Sequence, residues 1–242
     1  MIRQPDDAQT AWFLRACLRD PFGAVLTTRF AVYPPGSGKA GFWAALDDEG
    51  EPVGALSLMD GALTAVFPDE NRADPEELLS FAAYLRAKTL LVSGYPLGEP
   101  LTALCCARDF PDTALPPEAS DLPFLPALMT GGSASEPERA AMLTDLTLRF
   151  GAGLLRGRVI RSEGKPVSCA VTAGETAACA LISGVATDPA YRGKGFARAC
   201  VTSLVGASGK RAFVLTDSAD LAGWYAEMGF VPWERHVYTF SI

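Results

Sequence analysis

DPAYRGKGFARA, residues 188–199, sets Arg192, Lys194 and Arg198 around two glycines in an acidic chain. The whole sequence has 21 Lys+Arg against 28 Asp+Glu, a formal charge of −7. Upstream lies ACALISGVATD, residues 178–188, apolar nearly throughout, as expected of a central strand buried on both faces. Downstream the pattern turns helical to about residue 206. The order is therefore strand, glycine turn, helix. A helix's first turn leaves backbone N–H groups without internal partners, and the macrodipole adds about half a positive charge there. Gly193 and Gly195 let an oxyanion approach the backbone and let the turn adopt positive φ. Small Ala197 keeps the approach open, and Arg192 adds a planar donor fork suited to phosphate. These features point to an anion site.

Two simpler nucleotide motifs are absent. There is no G-x-x-x-x-G-K-[ST], and no G-x-G-x-x-G opens a dinucleotide-binding unit. The longer string VATDPAYRGKGFARA resembles the coenzyme loop of the GNAT N-acetyltransferase superfamily. Its Q/R-x-x-G-x-G/A pattern is met by Arg192, Gly195 and Ala197, and its approach strand by Val185, Thr187, Pro189 and Tyr191. A second stretch, SADLAGWYAEMGF (218–230), resembles the family's N-x-x-A-x-x-L-Y-x-x-x-G-F signature. Tyr225, Gly229 and Phe230 match. Ser218 replaces the usual Asn, and Leu221 stands where Ala is frequent. The resemblance covers about residues 120–242.

The resemblance implies an α/β (α+β) fold with a mixed, mostly antiparallel sheet flanked by helices. It implies acetyl-CoA as co-substrate, no metal, and transfer of the acetyl group to a primary amine by direct attack. The pyrophosphate would lie on the amides of Gly193, Lys194, Gly195, Phe196 and Ala197, with Lys194 and Arg198 as helpers. The pantetheine arm would pair with the backbone of Val185, Ala186 and Thr187. The Val185 amide would polarise the thioester carbonyl, Tyr225 would protonate the leaving thiolate, and Ser218 would bond the arm. No general base stands out; His236 is a candidate only as the sole histidine, and a water chain serves equally. A non-catalytic acyl-CoA sensor and transfer of another acyl or aminoacyl group are the alternatives.

Composition bounds the rest. Apolar residues make up 49 % and charged residues 20 %, enough for a sizeable core and against general disorder. There is no long apolar run for a membrane span and no basic-then-apolar leader at MIRQPDDAQT. None of the six cysteines forms a C-x-x-C, and one histidine leaves few zinc ligands. Buried reduced thiols in a cytoplasmic protein are expected. Residues 1–129 carry 9 basic and 18 acidic side chains; residues 130–242 carry 12 and 10. Neither half is basic enough for a nucleic-acid partner. Monomer and homodimer both remain open.

The chain also repeats itself. Glu49-Gly50-x-Pro52-Val53 and Glu163-Gly164-x-Pro166-Val167 lie 114 residues apart, each flanked by apolar runs. Both read as hairpins. Proline-rich DFPDTALPPEASDLPFLP (109–126) places the boundary, giving domains at 1–115 and 116–242. The same shift puts Asp74-Pro75 on Asp188-Pro189 and leaves no glycine turn, with Glu76 and Glu77 at the helix start. The first half is therefore expected to be a degenerate GNAT-like unit without coenzyme. It is expected to wall the acceptor cleft, and its acidity either to attract a cationic acceptor or to serve solubility.

Overall fold

The two E-G-x-P-V segments form matching hairpins in a computed structural model that describes residues 1–242. In the first, β2 (Ala40–Leu46) pairs with β3 (Pro52–Met59) around Gly50, at φ 84°. In the second, β7 (Gly157–Ser162) pairs with β8 (Lys165–Glu175) around Glu163 and Gly164, at φ 51° and 77°. Each hairpin slips register beside its proline, at Leu46 opposite Pro52 and at Arg161 opposite Pro166.

The elements around them recur in the same order. The first half holds β1 (Ile2–Arg3), α1 (Asp7–Ala16) and α2 (Pro21–Val32), then the hairpin. After it come β4 (Ala62–Val66), α3 (Pro75–Tyr84), β5 (Thr89–Ser93) and β6 (Glu99–Cys106). The second half begins with α4 (Leu125–Met129) and α5 (Glu136–Gly151). Ser135 closes a capping box with Glu138 at the head of α5. β9 (Cys179–Thr187), α6 (Phe196–Ser208), β10 (Arg211–Thr216) and α7 (Ala219–Ala226) follow the hairpin. The chain ends in β11 (Val231–Pro232) and β12 (Val237–Ser241). These are two separate strands. Pro232 has no N–H for a ladder, and the intervening residues turn the chain from β6 toward β5.

The sheet is mixed and mostly antiparallel, and the two halves exchange strands within it. Its order is β1-β2-β3-β4-β5-β12-β6-β10-β9-β8-β7. β12, the last strand, lies between β5 and β6 and pairs with both. β6, from the first half, pairs with β10 of the second. The proline-rich segment is pinned as well. Leu115 exchanges two backbone hydrogen bonds with Val159. Arg158 grips Asp112 with two hydrogen bonds, and Arg161 grips Asp121, which is almost fully buried. Gly206 in α6 lets the Phe110 carbonyl approach so closely that a Cβ would lie 2.4 Å from it.

The main core spans both halves. Phe13, Phe22 and Leu26 of α1 and α2 pack with Leu181 of β9, Phe213 of β10 and Val237 of β12. Gly174 admits the α2 backbone, since a Cβ there would lie 2.4 Å from the Ala24 carbonyl oxygen. Because strands and core are both shared, the chain should unfold in one cooperative transition. Scanning calorimetry of the full chain should give a single peak, and residues 116–242 expressed alone should lack a stable fold. Two separate peaks would contradict the shared core.

Candidate functional site

β9 and β10 begin as parallel neighbours and then part. They pair only from Cys179 to Leu181 against Arg211 to Phe213. Beyond that, β10 continues along β6 while residues 182–187 keep one edge without a strand neighbour. The β8–β9 register also breaks between the Cys169–Ala186 and Val171–Ser183 pairs. Gly184 sits in this break at φ 53°, where a Cβ would strike the Met129 side chain at 2.3 Å. Its carbonyl accepts a hydrogen bond from the Cys169 thiol. The irregularity turns the backbone at Val185 just where the strands separate.

After β9 the chain makes a short 3₁₀ turn, Pro189–Tyr191, capped by the Asp188 carboxylate. Tyr191 ties this turn to the β7–β8 hairpin through a 3.1 Å bond to the Ser162 hydroxyl. Arg192 is extended, and its Nε donates to the Thr187 carbonyl at 3.2 Å. Gly193 and Gly195 both have positive φ, 74° and 77°, and nothing lies within 4 Å of a Cβ placed on either. Gly195 is the N-cap of α6 and supplies no side chain to the helix's first turn. Each of the other helices of at least eight residues is capped: by Asp6, Asp20, Asp74, Ser135 or Ser218. Only at α6 is such a helix's positive end left open to a ligand.

A cleft of ≈1360 Å³ lies over this turn. Every predicted site residue lines it except Lys194 and Ser218. Lys194 stacks on the Tyr191 ring, its Nζ 4.9 Å from the centroid. Ser218 caps α7: its Oγ accepts from the Leu221 N–H at 3.3 Å. That hydroxyl serves the helix cap, and Ser218 is not among the residues that line the cleft. Arg198 lines the cleft and pairs with Glu227 at 2.5 Å.

Tyr225 is nearly buried, between Trp224 and Phe230, with ring centroids 4.9 and 5.4 Å away. Burial raises its phenol pKa above the ordinary value. Its hydroxyl makes no hydrogen bond within the chain and borders the cleft. His236 is exposed on the loop before β12 and does not line the cleft. The six cysteines are unpaired and five are buried. Burial pushes the thiols of Cys17, Cys169 and Cys200 upward, which suits packing rather than nucleophilic chemistry. No group of three His, Cys, Asp or Glu side chains converges in a metal-binding arrangement. No helix is long and apolar enough to cross a membrane.

Sequence reasoning missed the opposite wall. Phe124, Leu128 and Met129 of the proline-rich segment and α4 line the cleft, as do Leu221 and Trp224 of α7. The apolar run FLPALM was the available signal, obscured by the surrounding prolines. The expected wall from the first half is absent: the lining runs from Phe124 to Tyr225. The apolar helix α2 lies instead against β8 and β9, as a buttress.

The first half also lacks the opening itself. β4 and β5 stay paired over all five residues, and Phe67 N–H continues the ladder to the Ser93 carbonyl. The Arg235 guanidinium bonds the Phe67 carbonyl at the end of that pair. Asp74, the cap of α3, occupies the position that Gly195 occupies in α6, so the sequence offset grows beyond 114 after the hairpin. Its carboxylate accepts from the Glu77 N–H, and Glu77 in turn pairs with the chain's amino terminus. Where the second half leaves a positive helix end open, the first half fills it with carboxylates.

A splayed parallel strand pair, a glycine turn and an uncapped helix together form the site. Residues 156–232 match the acetyltransferase (GNAT) domain family model. The whole chain matches an acetyltransferase of the GNAT family from Colwellia psychrerythraea at 14 % identity and TM-score 0.57, covering 100 % of this chain and 99 % of that one. It matches a tandem GNAT protein from the clavulanic acid biosynthesis pathway at 16 % identity and TM-score 0.53, covering 100 % and 97 %. A GNAT-family protein from Novosphingobium aromaticivorans matches at 18 % identity and TM-score 0.55, over 76 % and 86 %. Sequence comparison with curated proteins gives no match. Residues 156–232 are thus similar to the GNAT acetyltransferase domain, and the fold of the whole chain is that of GNAT proteins.

Proposed function

We propose that the chain transfers an acetyl group from acetyl-CoA to a primary amine, in a catalytic unit formed by residues 116–242. The observation that carries this is the uncapped α6 turn opening into the cleft where β9 leaves β10, with Tyr225 on the same cleft. The residues fit the coenzyme: both glycine positions are open, and Arg192 is braced beside them. The coenzyme supplies the thioester. Gly193 to Ala197 and Arg192 hold its pyrophosphate, and the free edge of β9 orients its arm. The Val185 N–H faces the thioester carbonyl and stabilises the charge that grows there. As the amine nitrogen bonds to the carbonyl carbon, the carbon–sulfur bond breaks. Tyr225 Oη hydrogen-bonds the departing sulfur and supplies its proton, while the amine's surplus proton leaves through water.

Because burial favours the neutral phenol, Tyr225 keeps its proton through neutral and mildly alkaline pH. The alkaline limb that belongs to this acid should therefore fall above pH ~10, the ordinary tyrosine value. A kcat profile for wild type and Tyr225→Phe checks this; a Tyr225-dependent limb below pH ~9 would contradict it. The reaction itself is tested with acetyl-CoA, a pooled amine library and thiol release as readout. Amine-dependent thiol release supports transfer; saturable coenzyme binding without turnover on any amine favours a sensor. The acidity of the first half acts at a distance, since that half does not line the cleft. With a polyamine acceptor, kcat/KM should fall several-fold between about 0.01 M and 1 M salt, where the Debye length shrinks from ~30 to ~3 Å. A flat salt response would remove the steering role.

A further inference from the structure

A second cavity of ≈420 Å³ adjoins the cleft behind the first turn of α6. Gly195 and Arg198 line both, so the two spaces meet at the proposed pyrophosphate loop. Arg198 and Thr202 of α6 and Glu227 after α7 form part of the wall. The rest comes from Arg108 to Thr113, the segment that follows β6. Three charged side chains face this space: Arg108, Arg198 and Glu227. Glu227 is paired with Arg198, which leaves one net positive charge. That charge is Arg108, exposed and without a carboxylate partner.

Several independent contacts place Arg108 there. β6 pairs with β10 up to Cys106 opposite Ala212, which carries the following residues over α6 and α7. The Phe110 carbonyl seats against Gly206 of α6. Gly229, at φ 88°, passes directly under the Arg108 guanidinium, and a Cβ there would lie 2.5 Å from Nη1. Phe110 adds a half-buried aromatic ring to the same wall.

We propose that this cavity takes the adenosine end of the coenzyme and that Arg108 reads its 3′-phosphate. The inference rests on the acetyl-CoA reading above. A pyrophosphate on Gly193 to Ala197 is followed by ribose within a few atoms, and the adjoining space offers an unpaired guanidinium for the phosphate on that ribose. A planar guanidinium suits a phosphate dianion, and Phe110 offers the base an aromatic surface. Arg108 lies outside the matched domain of residues 156–232. The first half thus contributes a specificity residue to the coenzyme site through the strand it lends.

Calorimetric titration with coenzyme A and with 3′-dephospho-coenzyme A, at one fixed salt concentration, tests this. Wild type should prefer coenzyme A by on the order of tenfold, the size of one charge-assisted contact. Arg108→Gln should remove most of that preference by weakening coenzyme A alone, with dephospho-coenzyme A affinity unchanged within about twofold. Arg108→Lys should restore part of it. The inference is overturned if wild type binds both ligands equally, or if Arg108→Gln weakens both by the same factor or neither. Those outcomes leave the coenzyme reading standing. Failure of wild type to bind either ligand overturns the coenzyme reading and this inference with it.

Discussion

Gly195→Asp should weaken coenzyme binding at least about 100-fold, and Gly195→Asn should not. Asp is what the first half carries at the equivalent cap. Its carboxylate would bond the first-turn amides of α6 and stand within a few ångströms of the pyrophosphate. One pair of like charges about 4 Å apart costs ~1 kcal/mol in water and ~4 kcal/mol at a protein surface. Each ~1.4 kcal/mol is tenfold in affinity. Asn has the same shape and brings the same strain at φ 77°, roughly 1–2 kcal/mol. The pair therefore separates charge from conformation. Both variants should lose similar thermal stability, and only Asp should lose the coenzyme. Equal losses in affinity, measured by titration calorimetry, would show that geometry and not the open positive helix end holds the anion.

Tyr225→Phe should lower kcat by about 10²-fold while leaving coenzyme Kd nearly unchanged. The hydroxyl has no partner within the chain, and the ring packs on Trp224 and Phe230 in either residue. Fold and binding should therefore survive its loss. The magnitude belongs at the low end of general-acid effects for a physical reason. An ordinary thiol has a pKa of about 8.5, and Tyr225 lies above the usual tyrosine value of about 10. Complete proton transfer to the sulfur is thus uphill by more than about one pKa unit. The hydrogen bond from Oη to the charge growing on sulfur accounts for most of the effect, and the proton follows. An unchanged single-turnover rate in Tyr225→Phe would remove Tyr225 from the chemistry.

What was legible in the sequence was local. The glycine turn at 193–195 and the two E-G-x-P-V hairpins are each specified by neighbouring residues, and each appears in place. The core strand at 179–187 announced itself by continuous apolarity. What was illegible depended on partners far along the chain. Nothing within VYTFS says that β12 will sit between β5 and β6 rather than stay with β11. Arg108 reads as one more surface cation until β6 pairs with β10. The proline-rich segment reads as a linker because prolines forbid regular ladders. Its hold comes instead from Arg158, Arg161 and the Leu115–Val159 bridge. Ser218 looked like a ligand residue by alignment with a motif, and its role as cap follows from its own N-terminal position on α7.

One half keeps an open positive helix end and a parted strand pair, and the other has closed both. Stoichiometry tests it most directly. Titration calorimetry of the full chain with acetyl-CoA should give one bound coenzyme per chain, with affinity weakened at least about 100-fold by Gly195→Asp and unaffected by Asp74→Gly. Two coenzymes per chain, or one bound with undiminished affinity in Gly195→Asp, would contradict it.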